Sequence, residues 1–299
     1  MDRHVLRGLD LISDGFLDRN READLALALG FSTRHLRRVF TQTVGATPSQ
    51  VAVSRRAHFA RLLLDDTDLT ATEIAFAAGF GSVRRMNDVM RATFRFTPTQ
   101  LRTKRARGDR CSTDGGIRLR LHTYREHRFE LYLHELASRA IRGVEVIEAG
   151  WYRRAVSVCG HPGVVEVHSP QPREVEILAH LPALEGLIDV VACCRRRFRL
   201  DHLDDGRPGP WSEFEAAAVA AISASCRDPS TVLGQLVTRY GAPVPGADSL
   251  GITHQFPDPQ ALAEIDAEDV DGLDRSTARA IADLAAAAVP LASAGSAPS

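Results

Sequence analysis

The chain has 299 residues, with 37 Lys+Arg against 38 Asp+Glu and a formal net charge of −1. That length accommodates two or three domains with separate cores, and no stretch reaches the roughly 18–20 apolar residues of a membrane span. The opening Met1-Asp2-Arg3-His4 leads into an amphipathic helix without a signal-peptide core, so a cytoplasmic protein is expected. Five cysteines, Cys111, Cys159, Cys193, Cys194 and Cys226, show neither Cys-x-x-Cys pairing nor metal-ligand spacing. They read as free thiols, and no metal or cofactor is expected.

The near-zero charge hides a division. Residues 1–110 hold 19 Lys+Arg against 12 Asp+Glu, and the remainder holds 18 against 26. The basic part also contains an internal repeat. Ala26-Leu27-Ala28-Leu29-Gly30-Phe31 recurs as Ala75-Phe76-Ala77-Ala78-Gly79-Phe80, and Thr47-Pro48-Ser49-Gln50 recurs as Thr97-Pro98-Thr99-Gln100. A repeat at this spacing implies one supersecondary unit used twice. Each copy reads as a short apolar helix, a Gly-Phe turn, and a second helix opened by Ser32 or Ser82 as N-cap. That is helix-turn-helix grammar, in which the second helix enters a major groove. The groove-facing candidates are Arg34, His35, Arg37 and Arg38 in the first copy and Arg84, Arg85, Asn87 and Arg91 in the second. Arg34 and Arg84, near the helix starts, are expected at base edges, whereas Arg38, Arg55 and Arg56 are expected at phosphates, which position without specifying. A basic domain of this kind releases counterions on binding, so its affinity should fall steeply with salt.

Residues 104–110 and 112–116 lack apolar periodicity and read as a linker. Beyond it Ile117, Leu119 and Leu121 alternate as a half-buried strand, followed by a helix over 129–140 and alternating runs over 152–158, 164–168 and 175–181. Residues 184–198 place Leu184, Leu187, Ile188, Val191 and Cys194 on one helical face. Hairpin-linked strands with helices on one side predict an α+β domain.

Two resemblances follow from these residues. Residues 5–107 resemble the AraC/XylS helix-turn-helix family through Gly30-Phe31-Ser32, Gly79-Phe80, Arg37-Arg38-Val39-Phe40 before Gly45-Ala46-Thr47-Pro48, and Phe96-Thr97-Pro98-Thr99-Gln100-Leu101-Arg102. Arg95 departs from the pattern, standing where the family carries glycine, as this chain does at Gly45. Gly143-Val144-Glu145, Tyr152-Arg153-Arg154, Gly163-Val164-Val165-Glu166-Val167 and residues 184–191 resemble the N-terminal α+β domain of methyladenine DNA glycosylases. Pro210-Trp211-Ser212-Glu213-Phe214-Glu215 resembles the entrance to their helical catalytic domain.

The second resemblance implies chemistry that the residues do not match. Base excision needs a wedge, a pocket and a carboxylate set against the developing sugar cation. The family's wedge loop corresponds to a shortened Ser223-Ala224-Ser225-Cys226-Arg227-Asp228-Pro229, and no residue matches the hairpin that precedes its catalytic aspartate. The chain is expected to lack the zinc-bound alkyl-acceptor domain that precedes these parts in full versions, and a complete glycosylase behind them. The acidic cluster Glu264, Asp266, Glu268, Asp269, Asp271 and Asp274 reads as helix caps and a solvated face. Cys111 lies among linker arginines, and exposure screens their charge; Cys193 and Cys194 read as packing residues. His127 and His134, seven apart, lack a third ligand.

The resulting expectation is a multidomain chain. An all-α double helix-turn-helix domain spans 1–107 and a linker 108–116; an α+β domain spans 117–204, a small helical remnant 209–290 and a disordered tail 291–299. It is read as a sequence-specific transcriptional regulator linked to the DNA alkylation response, with no catalytic residue. The alternative is a DNA-3-methyladenine glycosylase. Expected partners are double-stranded operator DNA, with RNA polymerase and a second copy of the chain as further candidates, and no membrane.

Overall fold

The computed structural model describes residues 3–103, 112–113, 116–123, 125–201 and 206–288. Cys111, most of the expected linker and the expected tail lie outside these residues. By contact the chain forms two compact bodies, one of residues 1–121 with 182–194 and the other of 122–181 with 195–299.

The first body is mainly helical. It holds α1 (Arg3–Ser13), α2 (Phe16–Arg19), α3 (Glu22–Ala28), α4 (Thr33–Val44), α5 (Pro48–Asp66), α6 (Ala71–Ala77), α7 (Val83–Phe94) and α8 (Pro98–Thr103). The two helix-turn-helix units are α3–α4 and α6–α7, and the 19-residue α5 joins them. Both sharp turns place a glycine in the left-handed region, Gly30 at φ 72° and Gly79 at φ 75°, where a Cβ is disfavoured. The repeated Thr-Pro-x-Gln has a mechanical explanation. In each copy the threonine hydroxyl accepts the glutamine N–H, and the glutamine side chain accepts the threonine N–H. This reciprocal capping satisfies two otherwise orphaned donors and opens α5 and α8.

Each second helix is amphipathic. Leu36 and Phe40 of α4 are fully buried and join Val5, Ile12, Leu25, Ala26, Leu29 and Ala52 in one cluster. Met86 and Met90 occupy the equivalent positions of α7 and are also fully buried. Burying each such side chain contributes about 1.5–3 kcal/mol, which fixes which face is left outward. A short antiparallel pairing sets β1 (Ser112–Thr113) against β2 (Gly116–His122).

In the second body, α9 (Phe129–Ala137) precedes the meander β3 (Glu145–Glu148), β4 (Trp151–Val158), β5 (His161–Gln171) and β6 (Glu174–His180). The strands lie in the order β6-β5-β4-β3, all antiparallel, with Glu145 opposite Arg154, Arg154 opposite Val165 and Val165 opposite Ala179. Strand β3 was not among the expected alternating runs, since four residues are too few to show a period. Helix α10 (Leu187–Arg197) contributes residues to both bodies. Then come α11 (Glu213–Ser225), α12 (Pro229–Tyr240), α13 (Pro259–Leu262) and α14 (Arg275–Ala288), with 3-10 turns at Asp248–Leu250 and Ala267–Asp269. The sheet and these helices share one core: Ile141, Val144, Ala155 and Val164 pack with Ile222, Leu236, Ile252, Leu262 and Ile281.

At the sheet's edge a charged cluster is buried. Arg154 is 1% exposed and bonds Glu145 at 2.6 Å and also Glu215, while Arg197 bonds Glu145 at 2.5 Å and the Tyr152 hydroxyl donates to Glu145 at 2.6 Å. Trp211 lies against the Arg154 guanidinium, 4.7 Å from ring centre. Burial works against ionising Glu145, but Arg154 and Arg197 outweigh it and hold its pKa low; for Glu215, burial prevails and raises it. A buried ion cluster contributes little net stability, yet removing one member leaves the others uncompensated.

Helix α7 ends on Arg95, at φ 64°, where α4 ends on Gly45 at φ 80°. Forcing an L-residue into this region costs about 1–2 kcal/mol, and glycine returns part of that as unfolded-state entropy. Arg95→Gly should therefore stabilise the protein by about 0.5–1 kcal/mol, read as a higher urea midpoint at unchanged slope. A lower midpoint would mean the arginine makes a compensating contact.

Candidate nucleic-acid interface

The turn-forming serines act as the sequence suggests. Ser32 Oγ accepts the His35 N–H at 3.3 Å and Ser82 Oγ accepts the Arg85 N–H at 3.2 Å, so both hydroxyls cap their helices while remaining exposed. With Leu36 and Phe40 turned inward on α4, and Met86 and Met90 on α7, the outward faces carry Arg34, Arg37 and Arg38 on one helix and Arg84, Arg85 and Arg91 on the other, all exposed. His35 and Asn87 are half-buried beside them. His35 stacks on Phe31 with ring centres 4.7 Å apart.

These arginines are not equivalent. Among the described residues the side chains of Arg34, Arg84, Arg85 and Arg91 make no hydrogen bond or ion pair. Arg38 reaches His35 at 3.3 Å and Gln42 at 3.5 Å along its own helix. Arg37 is held by Glu22, with Nε 2.5 Å from Oε1, and the second Glu22 oxygen accepts the Ser49 hydroxyl. That hydrogen bond and the Glu22 charge raise the Arg37 pKa above its ordinary value.

Arg55 and Arg56 on α5, expected at phosphates, are turned inward. Their side chains are 16% and 21% exposed, and both bind Asp18 of α2. Arg56 Nε lies 2.6 Å from Asp18, and Arg55 Nη2 also reaches Asp189 at 3.2 Å and the Ile188 carbonyl at 3.3 Å. A guanidinium engaged by two carboxylates has few donors left for a phosphate. Their places in the structure are those of internal ties. The carboxylates Asp18, Glu22 and Asp189 were absent from the sequence-derived site, because an acidic residue in or before a first helical turn looks like ordinary dipole compensation.

The comparisons with known proteins fit this construction. The helix-turn-helix domain family matches residues 25–104, and the AlkA N-terminal domain family matches residues 118–203. It is 34% identical over 288 residues to the probable bifunctional transcriptional activator/DNA repair enzyme AlkA of Mycobacterium tuberculosis, a match covering 88% of this chain and 58% of that protein. The chain thus spans little more than half the length of that curated relative. Similar solved structures include the 3-methyladenine DNA-glycosylase of Archaeoglobus fulgidus, at 21% identity and TM-score 0.47 over 56% of this chain and 66% of that one. Another is an AraC-type transcriptional regulator from Chromobacterium violaceum, at 28% identity and TM-score 0.31 over 36% and 100%.

In the segment after residue 203 the acidic residues have defined positions. Asp266 caps the turn at Ala267–Asp269, Asp269 bonds Tyr240 at 2.8 Å and Arg239 at 3.2 Å, Glu268 pairs with Arg275 at 2.9 Å, and Asp274 accepts the Thr277 N–H at 2.9 Å at the start of α14. The Tyr240 and Arg239 bonds hold the Asp269 pKa below the usual carboxylate range, and the bonds from Ser276 and Thr277 do the same for Asp274.

The other sequence candidates are equally local. His127 bonds the Phe198 carbonyl at 2.6 Å and stacks on Tyr132, and among the described residues no group of three His, Cys, Asp or Glu is placed to hold a metal. Cys194 is buried and Cys193 half-buried, as packing residues would be. No described helix is long and apolar enough to cross a membrane.

Two outcomes follow. Arg55→Ala should lower the unfolding free energy by about 2 kcal/mol through lost charge-assisted bonds, whereas Arg34→Ala should stay within about 0.5 kcal/mol of the parent; equal melting temperatures would contradict the internal assignment of Arg55. A carboxylate whose folded pKa is depressed stabilises the fold above its unfolded pKa, and that contribution is lost as pH falls through the folded value. Stability should therefore decline below about pH 4, and Asp274→Asn, which keeps a capping acceptor without titrating, should flatten that decline in melts recorded from neutral to acid.

Proposed function

We propose that the chain is a sequence-specific regulator of transcription that binds double-stranded DNA through α4 and α7 in successive major grooves, and that it acts in the cytoplasm. The observation that carries this reading is the pair of exposed recognition faces, built on one repeated turn and one repeated cap, the first presenting Arg34 and the second Arg84, Arg85 and Arg91 without side-chain partners among the described residues. RNA polymerase is the partner through which such a regulator acts on promoters. A link to the alkylation response is supported by the relative's description as an activator and repair enzyme and by the AlkA N-terminal domain.

In this reading the glycosylase-like region does not excise bases. The engagement of Asp269 by Tyr240 and Arg239 and of Asp274 as the cap of α14 supports that part of the proposal, since these carboxylates are committed to local partners. The region is then a folded appendage to the DNA-binding domain, built around the core that its helices share with the sheet.

Binding measured by fluorescence anisotropy on the cognate duplex should weaken by about 1–3 kcal/mol in Arg34→Ala and in Arg84→Ala, with sequence preference relaxed. Unchanged affinity and preference in both variants would remove the groove assignment. The same preparation, incubated with methylated duplex DNA, should release no methyladenine or methylguanine above a protein-free control. Release above that background would restore the glycosylase reading.

A further inference from the structure

The two helix-turn-helix units differ in one construction. Glu22 is the first residue of α3, Arg37 the fifth of α4 and Ser49 the second of α5. The corresponding places in α6, α7 and α8 are Ala71, Asn87 and Thr99. The first unit therefore has a carboxylate clamp on its recognition helix where the second has a neutral amide and no carboxylate.

The Glu22 side chain is only 9% exposed, and both its oxygens are engaged, one by Arg37 Nε at 2.5 Å and the other by the Ser49 hydroxyl. The Arg37 side chain is 59% exposed. Nε is held from behind while the terminal Nη1 and Nη2 fork has no other partner among the described residues. Two consequences follow. Pinning an otherwise flexible side chain removes much of the ordering cost of using it. Pairing also neutralises it, so the Arg37–Glu22 pair is weakly attracted to phosphate, an interaction driven by net charge. Its directional donors remain, and two parallel N–H donors match the O6 and N7 of guanine. An amide such as Asn87 matches the N6 and N7 of adenine instead.

We infer that Glu22 is a positioning residue that makes Arg37 a guanine reader, so the first unit takes a guanine where the second, through Asn87, takes an adenine. The bound DNA is then asymmetric although the protein units repeat. The inference rests on the reading of the chain as a DNA-binding regulator and adds which bases distinguish its two grooves.

The full chain and its Glu22→Gln variant are used to select sites from a randomised duplex library, and the salt dependence of binding to a non-cognate duplex is measured for each. The parent should enrich a motif with a guanine and an adenine about one helical turn apart. Glu22→Gln should lose about tenfold of the guanine preference, within the discrimination a bidentate pair supplies, and keep the adenine. It should also gain non-specific affinity, with a salt slope steeper by about 0.9, because the released Arg37 now meets phosphate. Ser49→Ala, which loosens Glu22 without removing it, should lose part of the guanine preference. A lower melting temperature in Glu22→Gln with an unchanged motif and salt slope would overturn the inference and leave the regulator reading standing. No enriched motif with the parent chain would overturn both.

Discussion

The positive charge of this protein's helix-turn-helix half is almost entirely arginine, and its arginines divide by whether a carboxylate of the same chain reaches them. A guanidinium bound to carboxylates inside the fold has its donors aimed at fixed points and its charge cancelled. Asp18 draws Arg55 and Arg56 inward and so ties α5, the helix between the two units, to α2. Asp189 adds a second carboxylate to Arg55. Among the described residues Arg34, Arg84, Arg85 and Arg91 meet no such partner and remain on the outward faces. The same chemistry produces struts in one place and an exposed basic surface in another.

The second body solves the opposite problem. Arg154 lies inside, with Glu145 and Glu215 on either side and Trp211 against its face. The cluster draws on β3, β4, α10 and α11, so it fixes which strand edge meets which helix. Hydrophobic packing is tolerant of small shifts, whereas a buried charge cluster has few acceptable arrangements. The shared core of Ile141, Val144 and Ala155 with Leu236 and Ile281 then supplies the apolar burial. The sheet and the helices after it, which read as separate segments in the sequence, have a common interior.

Much of the fold was legible because its signals are local. A Gly-Phe turn followed by a capping serine appears twice, and so does Thr-Pro-x-Gln, whose side chains close the same reciprocal cap in both copies. The longer strands showed their alternation and matched within a few residues. Arg154 carried a faint signal, since it shares inward parity with Tyr152, Val156 and Val158 on β4, a placement that demands a buried partner. Strand β3 escaped because it is too short to display a period.

The two helix-turn-helix units, their caps and the residue types on their outer faces could be read from the chain alone, since every one of these depends on neighbours within a turn or two of helix. Which arginines those faces leave unpaired follows from contacts between residues far apart in the chain. Glu22 lies 15 residues from Arg37, Asp18 lies 37 from Arg55, and Asp189 lies 134 from Arg55. No period or propensity couples positions so far apart. Only the folded path of the chain brings each carboxylate within bonding distance and separates the arginines that tie the helices together from those left exposed.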